Sequence, residues 1–120
     1  MHLQESGEMY LETIYVLSQQ KNIVRAIDVG EHLGYSKPSV SRAVGLLKQG
    51  GYVASDEDGF LVLTDSGRTA AEKIFERHTV LSQFLIKLGV SEASASEDAC
   101  KIEHVICDET FDAIKNFLKK

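Results

Sequence analysis

The apolar period of this chain changes at Gly50-Gly51, and that change restricts its fold more than any other feature. Before it, "SKPSVSRAVGLLKQ" spaces Val40, Val44 and Leu47 as the buried stripe of a helix. Pro38 suits the first helical turn after Ser36, and the glycine pair ends the run. After it, "YVAS" and "FLVLT" read as strands and "DEDG" as the turn between them. Upstream, "AIDVGEHLGYS" reads as a short helix with Ile27, Val29 and Leu33 facing inward and Gly34 at its end. Two helices joined by a tight turn and followed by a hairpin form a winged helix-turn-helix.

The flanking segments read as helices. "SGEMYLETIYVLSQQ" starts near Ser6, its candidate N-cap, with Tyr10, Leu11, Ile14 and Leu17 as the apolar stripe. Thr64 to Gly67 opens a long helix that Gly89 closes. Ser94 and Glu97 have capping-box spacing and place the start of another helix near Ser94, and Asp108 can cap a last one. The expected fold class is therefore mainly α with a small β-hairpin. A winged-helix unit over 1–71 precedes a helical unit over 72–120.

Charge divides the chain functionally. The net charge is −5 over 120 residues, so the molecule as a whole does not attract nucleic acid. From His32 to Ser55, however, no Asp or Glu occurs, while Lys37, Arg42 and Lys48 do. Ser36, Lys37, Ser39, Ser41 and Arg42 fall in or just before the first turns of the second helix of the pair. There, hydroxyls and cations meet phosphates, and arginine reads guanine. They are the candidate DNA-binding residues, with Arg25 adding a phosphate contact. The "DEDG" tip is acidic and a poor phosphate binder.

The run "CKIEH" places Cys100, Glu103 and His104 at i, i+3 and i+4, on one face of a helix. Thiolate, carboxylate and imidazole are all transition-metal ligands. A buried cysteine beside a surface Glu and His is the alternative from spacing alone. Read singly, Met9 is core filler, Glu12 a solvated charge, His78 an ordinary helix-face histidine and Cys107 core packing. On a continuous helix Cys100 and Cys107 would lie about 10 Å apart, too far for a disulfide. The N-terminal "MHLQESGEMY" has no basic head or apolar core of a secretory signal, and no apolar run approaches a membrane span. The expected location is the cytoplasm.

Five segments, "EMYLETIYVL", "SKPSVSRAVGLLKQGGYV", "LVLTDSGRTAAEKI", "RHTVLSQFL" and "DACKIEHVICDE", occur in an order and spacing that resemble the diphtheria-toxin-repressor-like, iron- or manganese-dependent transcriptional regulators. The resemblance covers nearly the whole chain, without the SH3-like domain of longer members. It implies a winged helix joined to a helical metal-binding and dimerisation domain. It also implies a homodimer that binds double-stranded operator DNA when loaded with a divalent metal and so controls metal homeostasis. Met9, Cys100, Glu103 and His104 match the main site of iron-type members, while Glu12 and His78 match ligands of a second site in manganese-type members. Where this chain has Met9 and Cys100, manganese-type members carry carboxylates. Where it has Ser82 and Ser96, iron-type members carry a carboxylate and a histidine. Thiolate and thioether favour softer ions over Mn(II), Zn(II) and Cu included, and in a reducing cell Fe(II) is the first choice of cofactor with Mn(II) second.

Two other function classes bound this reading. One is a metal-independent winged-helix regulator sensing a small molecule or thiol oxidation through Cys100. The other is a metal- or thiol-dependent hydrolase, for which the sequence supplies no distinct substrate site. The expectation is a regulator and not an enzyme.

Overall fold

The computed structural model describes residues 5–120, with side chains from Ser6 onward. The stretch read for a secretory signal begins in residues 1–4, outside the described residues. The elements run α1 (Glu5–Gln20), α2 (Ala26–Leu33), α3 (Lys37–Gln49), β1 (Val53–Ser55), β2 (Leu61–Leu63), α4 (Asp65–Lys87), α5 (Glu92–Ile102) and α6 (Asp108–Leu118). The chain divides into two compact units, the first ending at Glu72 and the second spanning Lys73–Lys120.

In the first unit the expected stripes pack inward. Tyr10, Leu11, Ile14 and Leu17 of α1 are buried, as are Val29 of α2 and Val40, Val44 and Leu47 of α3. Each fully buried leucine or valine contributes roughly 1.5–3 kcal/mol relative to exposure. Ile27 departs from the expectation: it is 44% exposed, because two positions on a helix set it about 200° round from Val29, which faces the core. Ser6 lies inside α1 and is not its N-cap, since the helix already includes Glu5.

The turn between α2 and α3 is tight for a physical reason. Gly34 takes φ 75°, the left-handed cap that an L side chain resists. Ser36 then caps α3, its hydroxyl accepting from the Ser39 N–H, with Pro38 in the first turn. The strands pair antiparallel with Val53 opposite Leu63 and Ser55 opposite Leu61. Leu61 N–H donates to the Val24 carbonyl at 2.8 Å, tying the hairpin to the α1–α2 connection. At its base, Thr64 N–H donates to Tyr52 O and the Thr64 hydroxyl donates to Gly51 O. Gly67 fits there because a Cβ would lie 1.8 Å from the Tyr52 carbonyl oxygen.

In the second unit Ile74 and Leu81 of α4, Ala95 and Ala99 of α5 and Phe111 of α6 are buried. Phe84 meets Phe117 edge to face at 6.0 Å, and Lys115 pairs with Glu76 at 2.9 Å. Two cap assignments shift. Ser91, not Ser94, caps α5 and accepts from the Ser94 N–H, so the helix starts earlier than the Ser94–Glu97 spacing implied. Cys107, not Asp108, occupies the cap position of α6.

Candidate metal centre and nucleic-acid face

The second unit brings three of the sequence-predicted ligands together. One ligand atom each from Cys100, Glu103 and His104 lies within 4.8 Å of the others. Ligands at about 2.0–2.3 Å from a single ion stand no more than about 4.6 Å apart. The three donors therefore fit around one ion after a small closure. Helix α5 ends at Ile102, so Glu103 and His104 stand in the following turn and not on the helix itself. Glu103 nevertheless keeps helical backbone angles, φ −57° and ψ −25°, and its N–H donates to Ala99 O at 2.9 Å. That is why the i, i+3 spacing from Cys100 survives the helix end.

Glu103 is 1% exposed, and its carboxylate is bracketed by imidazoles. One oxygen lies 3.0 Å from Nδ1 of His78 and the other 3.2 Å from Nε2 of His104. His78 is held in turn by its ring stacked on Phe75. A fully buried carboxylate is costly unless partnered, and here its partners are themselves candidate ligands. Cys100 is exposed at the rim.

The remaining candidates belong to other elements. Met9 and Glu12 are half-buried on α1, in the first unit. The Met9 sulfur accepts from the Tyr35 hydroxyl at 3.7 Å, and the Tyr35 ring lies 5.9 Å from that of Tyr10. Ser82, one turn after His78, buries its hydroxyl without a hydrogen-bond partner among the described residues. Ser96 is exposed on α5. Cys107 is exposed, which corrects its reading as core packing: α5 ends before it, so it leaves the Cys100 stripe. The Thr110 hydroxyl holds the Cys107 thiol below its usual range.

On the first unit, Lys37, Ser39, Ser41 and Arg42 are exposed on α3. Ser36 is exposed too, but its hydroxyl is committed to Ser39, donating to Oγ at 3.0 Å. Arg25 caps α2 and points its guanidinium at Asp28, with both contacts at 3.4 Å. Asp28 is buried, and Lys21 also reaches it at 3.3 Å. The Arg25 backbone N–H is the main reason its carboxyl sits below the usual carboxylate range, with the Arg25 and Lys21 side chains adding against the opposing effect of burial. Sequence reading missed Asp28, whose signal was an acid at the third position of a helix, and Arg77, described below, whose signal was a cation beside His78.

Comparison with known proteins gives these two faces a context. Residues 2–60 match the N-terminal DNA-binding domain of iron-dependent repressors, and residues 64–120 match their metal-binding and dimerisation domain. An uncharacterised HTH-type transcriptional regulator of Methanocaldococcus jannaschii is 32% identical over 120 residues, covering 98% of this chain and 96% of that protein. The HTH-type transcriptional regulator MntR of Geobacillus kaustophilus is 34% identical over 114 residues, covering 95% and 81%. The solved structure of the manganese regulator SloR superposes with a TM-score of 0.84 at 27% identity. It covers 99% of this chain, which spans 55% of that protein's length.

Proposed function

This chain belongs to the iron-dependent repressor family, whose members are metal-dependent transcriptional regulators and not enzymes, and we propose that it binds operator DNA as a homodimer when loaded with Fe(II), with Mn(II) as the second candidate. The observation that carries this reading is the convergence of Cys100, Glu103 and His104 on one point of the second unit. A bound divalent ion supplies the positive charge on which thiolate and carboxylate can converge. Glu103 would help hold that ion, and His78 keeps one of its oxygens in place. Met9 and Glu12 are proposed as further ligands on the strength of the family resemblance. The thiolate of Cys100, with the Met9 thioether, supports Fe(II) over Mn(II). The related manganese regulator keeps Mn(II) in contention.

On the DNA side, Lys37, Ser39, Ser41 and Arg42 are proposed to meet the major groove, with Ser36 fixing the start of α3. Arg25 is proposed to touch phosphate while Asp28 holds its guanidinium. In a two-fold dimer the two α3 helices must read half-sites roughly 34 Å apart. The proposed setting is the cytoplasm, where Cys100 stays reduced; among the described residues no helix is long and apolar enough to cross a membrane.

The test begins with selection of DNA from a random pool by the Fe(II)-loaded protein under anaerobic conditions. Affinity for the selected duplex is then measured by anisotropy with Fe(II), with Mn(II) and with chelator. Tight binding that requires metal and is lost in Cys100→Ala supports the proposal. Equal binding with chelator overturns it in favour of a metal-independent regulator.

A further inference from the structure

We propose that Arg77 is the positioning residue of the metal centre, holding the backbone of the 103–106 turn so that Glu103 and His104 face the same point as Cys100. The inference rests on the metal-site reading above. Arg77 extends from α4, and its side chain is only 14% exposed. Its Nη1 donates to the carbonyl oxygens of Glu103, at 3.3 Å, and Ile106, at 2.6 Å. Its Nη2 pairs with the Asp108 carboxylate at the start of α6. The guanidinium carbon also lies 5.3 Å from the centre of the Phe111 ring.

Arg77 and His78 are consecutive on α4, yet they grip opposite ends of one residue. Arg77 takes the Glu103 carbonyl and His78 takes its carboxylate. Glu103 is thereby fixed in both position and direction. Val105 and Ile106 N–H both donate to the Ile102 carbonyl, which leaves the carbonyls of Glu103 and Ile106 to the Arg77 side chain. A planar guanidinium spreads its donors over two nitrogens, Nη1 for the two carbonyls and Nη2 for the carboxylate, a reach that the single nitrogen of a lysine does not reproduce. Groups that orient metal ligands without touching the ion typically set metal affinity by about 10–100-fold.

The test uses the full, reduced protein under anaerobic conditions. Affinity for Fe(II) and Mn(II) is measured by competition with a chromophoric chelator for wild type, Arg77→Lys, Arg77→Met and Asp108→Asn. Metal-free thermal melts are run in parallel, together with visible spectra of the Co(II)-loaded proteins. We expect Arg77→Lys to bind Fe(II) about 10–100-fold more weakly and to show altered Co(II) bands. Asp108→Asn should show a smaller loss of affinity. Should Arg77→Met fail to fold, Arg77→Lys, which keeps the charge but gathers its donors on one nitrogen, carries the comparison. Wild-type affinity and unchanged Co(II) bands in Arg77→Lys, with only a lowered melt, would make Arg77 a stability residue and overturn the inference. Failure of the wild type itself to bind any of these ions would instead overturn the metal-site reading on which the inference stands.

Discussion

One oxygen of the Glu103 carboxylate lies 3.0 Å from Nδ1 of His78, a residue 25 positions earlier in the chain. The other oxygen faces His104. A single buried acid thus connects α4 to the turn after α5, and substitution there separates charge from shape. Glu103→Gln keeps the volume and removes the charge. The wild-type fold should gain about 2.7 kcal/mol at a metal concentration of 100 times its dissociation constant. Glu103→Gln should lose that gain, read as a thermal midpoint that no longer moves when Fe(II) is added. A variant that still shifts like wild type would remove Glu103 from the ligand set.

Asp28 makes stability depend on acid. Its folded carboxyl is held low, first by the Arg25 N–H and then by the Arg25 and Lys21 side chains. The unfolded chain, with an Asp value of about 3.9, therefore binds the proton more readily than the native one. The stabilisation is complete above that unfolded value and is lost as pH falls through the lower folded one. Urea midpoints measured against pH should fall less steeply in Asp28→Asn across this window. At neutral pH that variant should be less stable by roughly 1–3 kcal/mol.

Two glycines should respond oppositely to alanine. At Gly67 the added methyl collides with the Tyr52 carbonyl, so Gly67→Ala should cost at least about 1–3 kcal/mol as backbone is forced apart. At Gly45, inside α3, a Cβ would meet nothing within 4 Å. Gly45→Ala should stabilise the helix by roughly 0.5–1 kcal/mol. Urea unfolding of the two variants side by side checks both signs.

The proposed DNA face predicts different behaviour for its two cations. Lys37→Ala should weaken binding across sequences and lower the slope of log affinity against log salt by about 0.9, the loss of one phosphate contact. Arg42→Ala should relax selectivity at one base position by about 1–3 kcal/mol. Salt titrations of the selected duplex, and of its single-base variants, separate the two roles.

Sequence patterns disclosed most elements and the three clustered candidate ligands, because both depend on local spacing. Val40, Val44 and Leu47 recur at helical period and are buried. Cys100, Glu103 and His104 are close in the chain and stay close in space. What escaped detection depends on contacts distant in sequence or on competition between neighbouring caps. Ser91 and Ser94 are both good caps, and Ser91 takes the role while Ser94 donates its N–H. Phe111 is buried beneath the Arg77 guanidinium, a contact set by the fold and not by helical spacing. Arg77 itself satisfies carbonyls 26 and 29 residues away, which no periodicity reveals. Ile27 shows the limit of a stripe read over two turns.

The hairpin tip carries Asp56, Glu57 and Asp58, all exposed, with Gly59 at φ 84° completing the turn. On the proposed DNA-binding unit, three exposed negative charges at this tip would act as a brake on contact with phosphates. Any duplex that brings the tip near its phosphates is repelled over about 8 Å at physiological salt. Loose, sequence-indifferent encounters would then be short-lived. The acidic tip would trade strength of binding for speed of rejection, and a basic replacement there should raise affinity for unrelated duplexes.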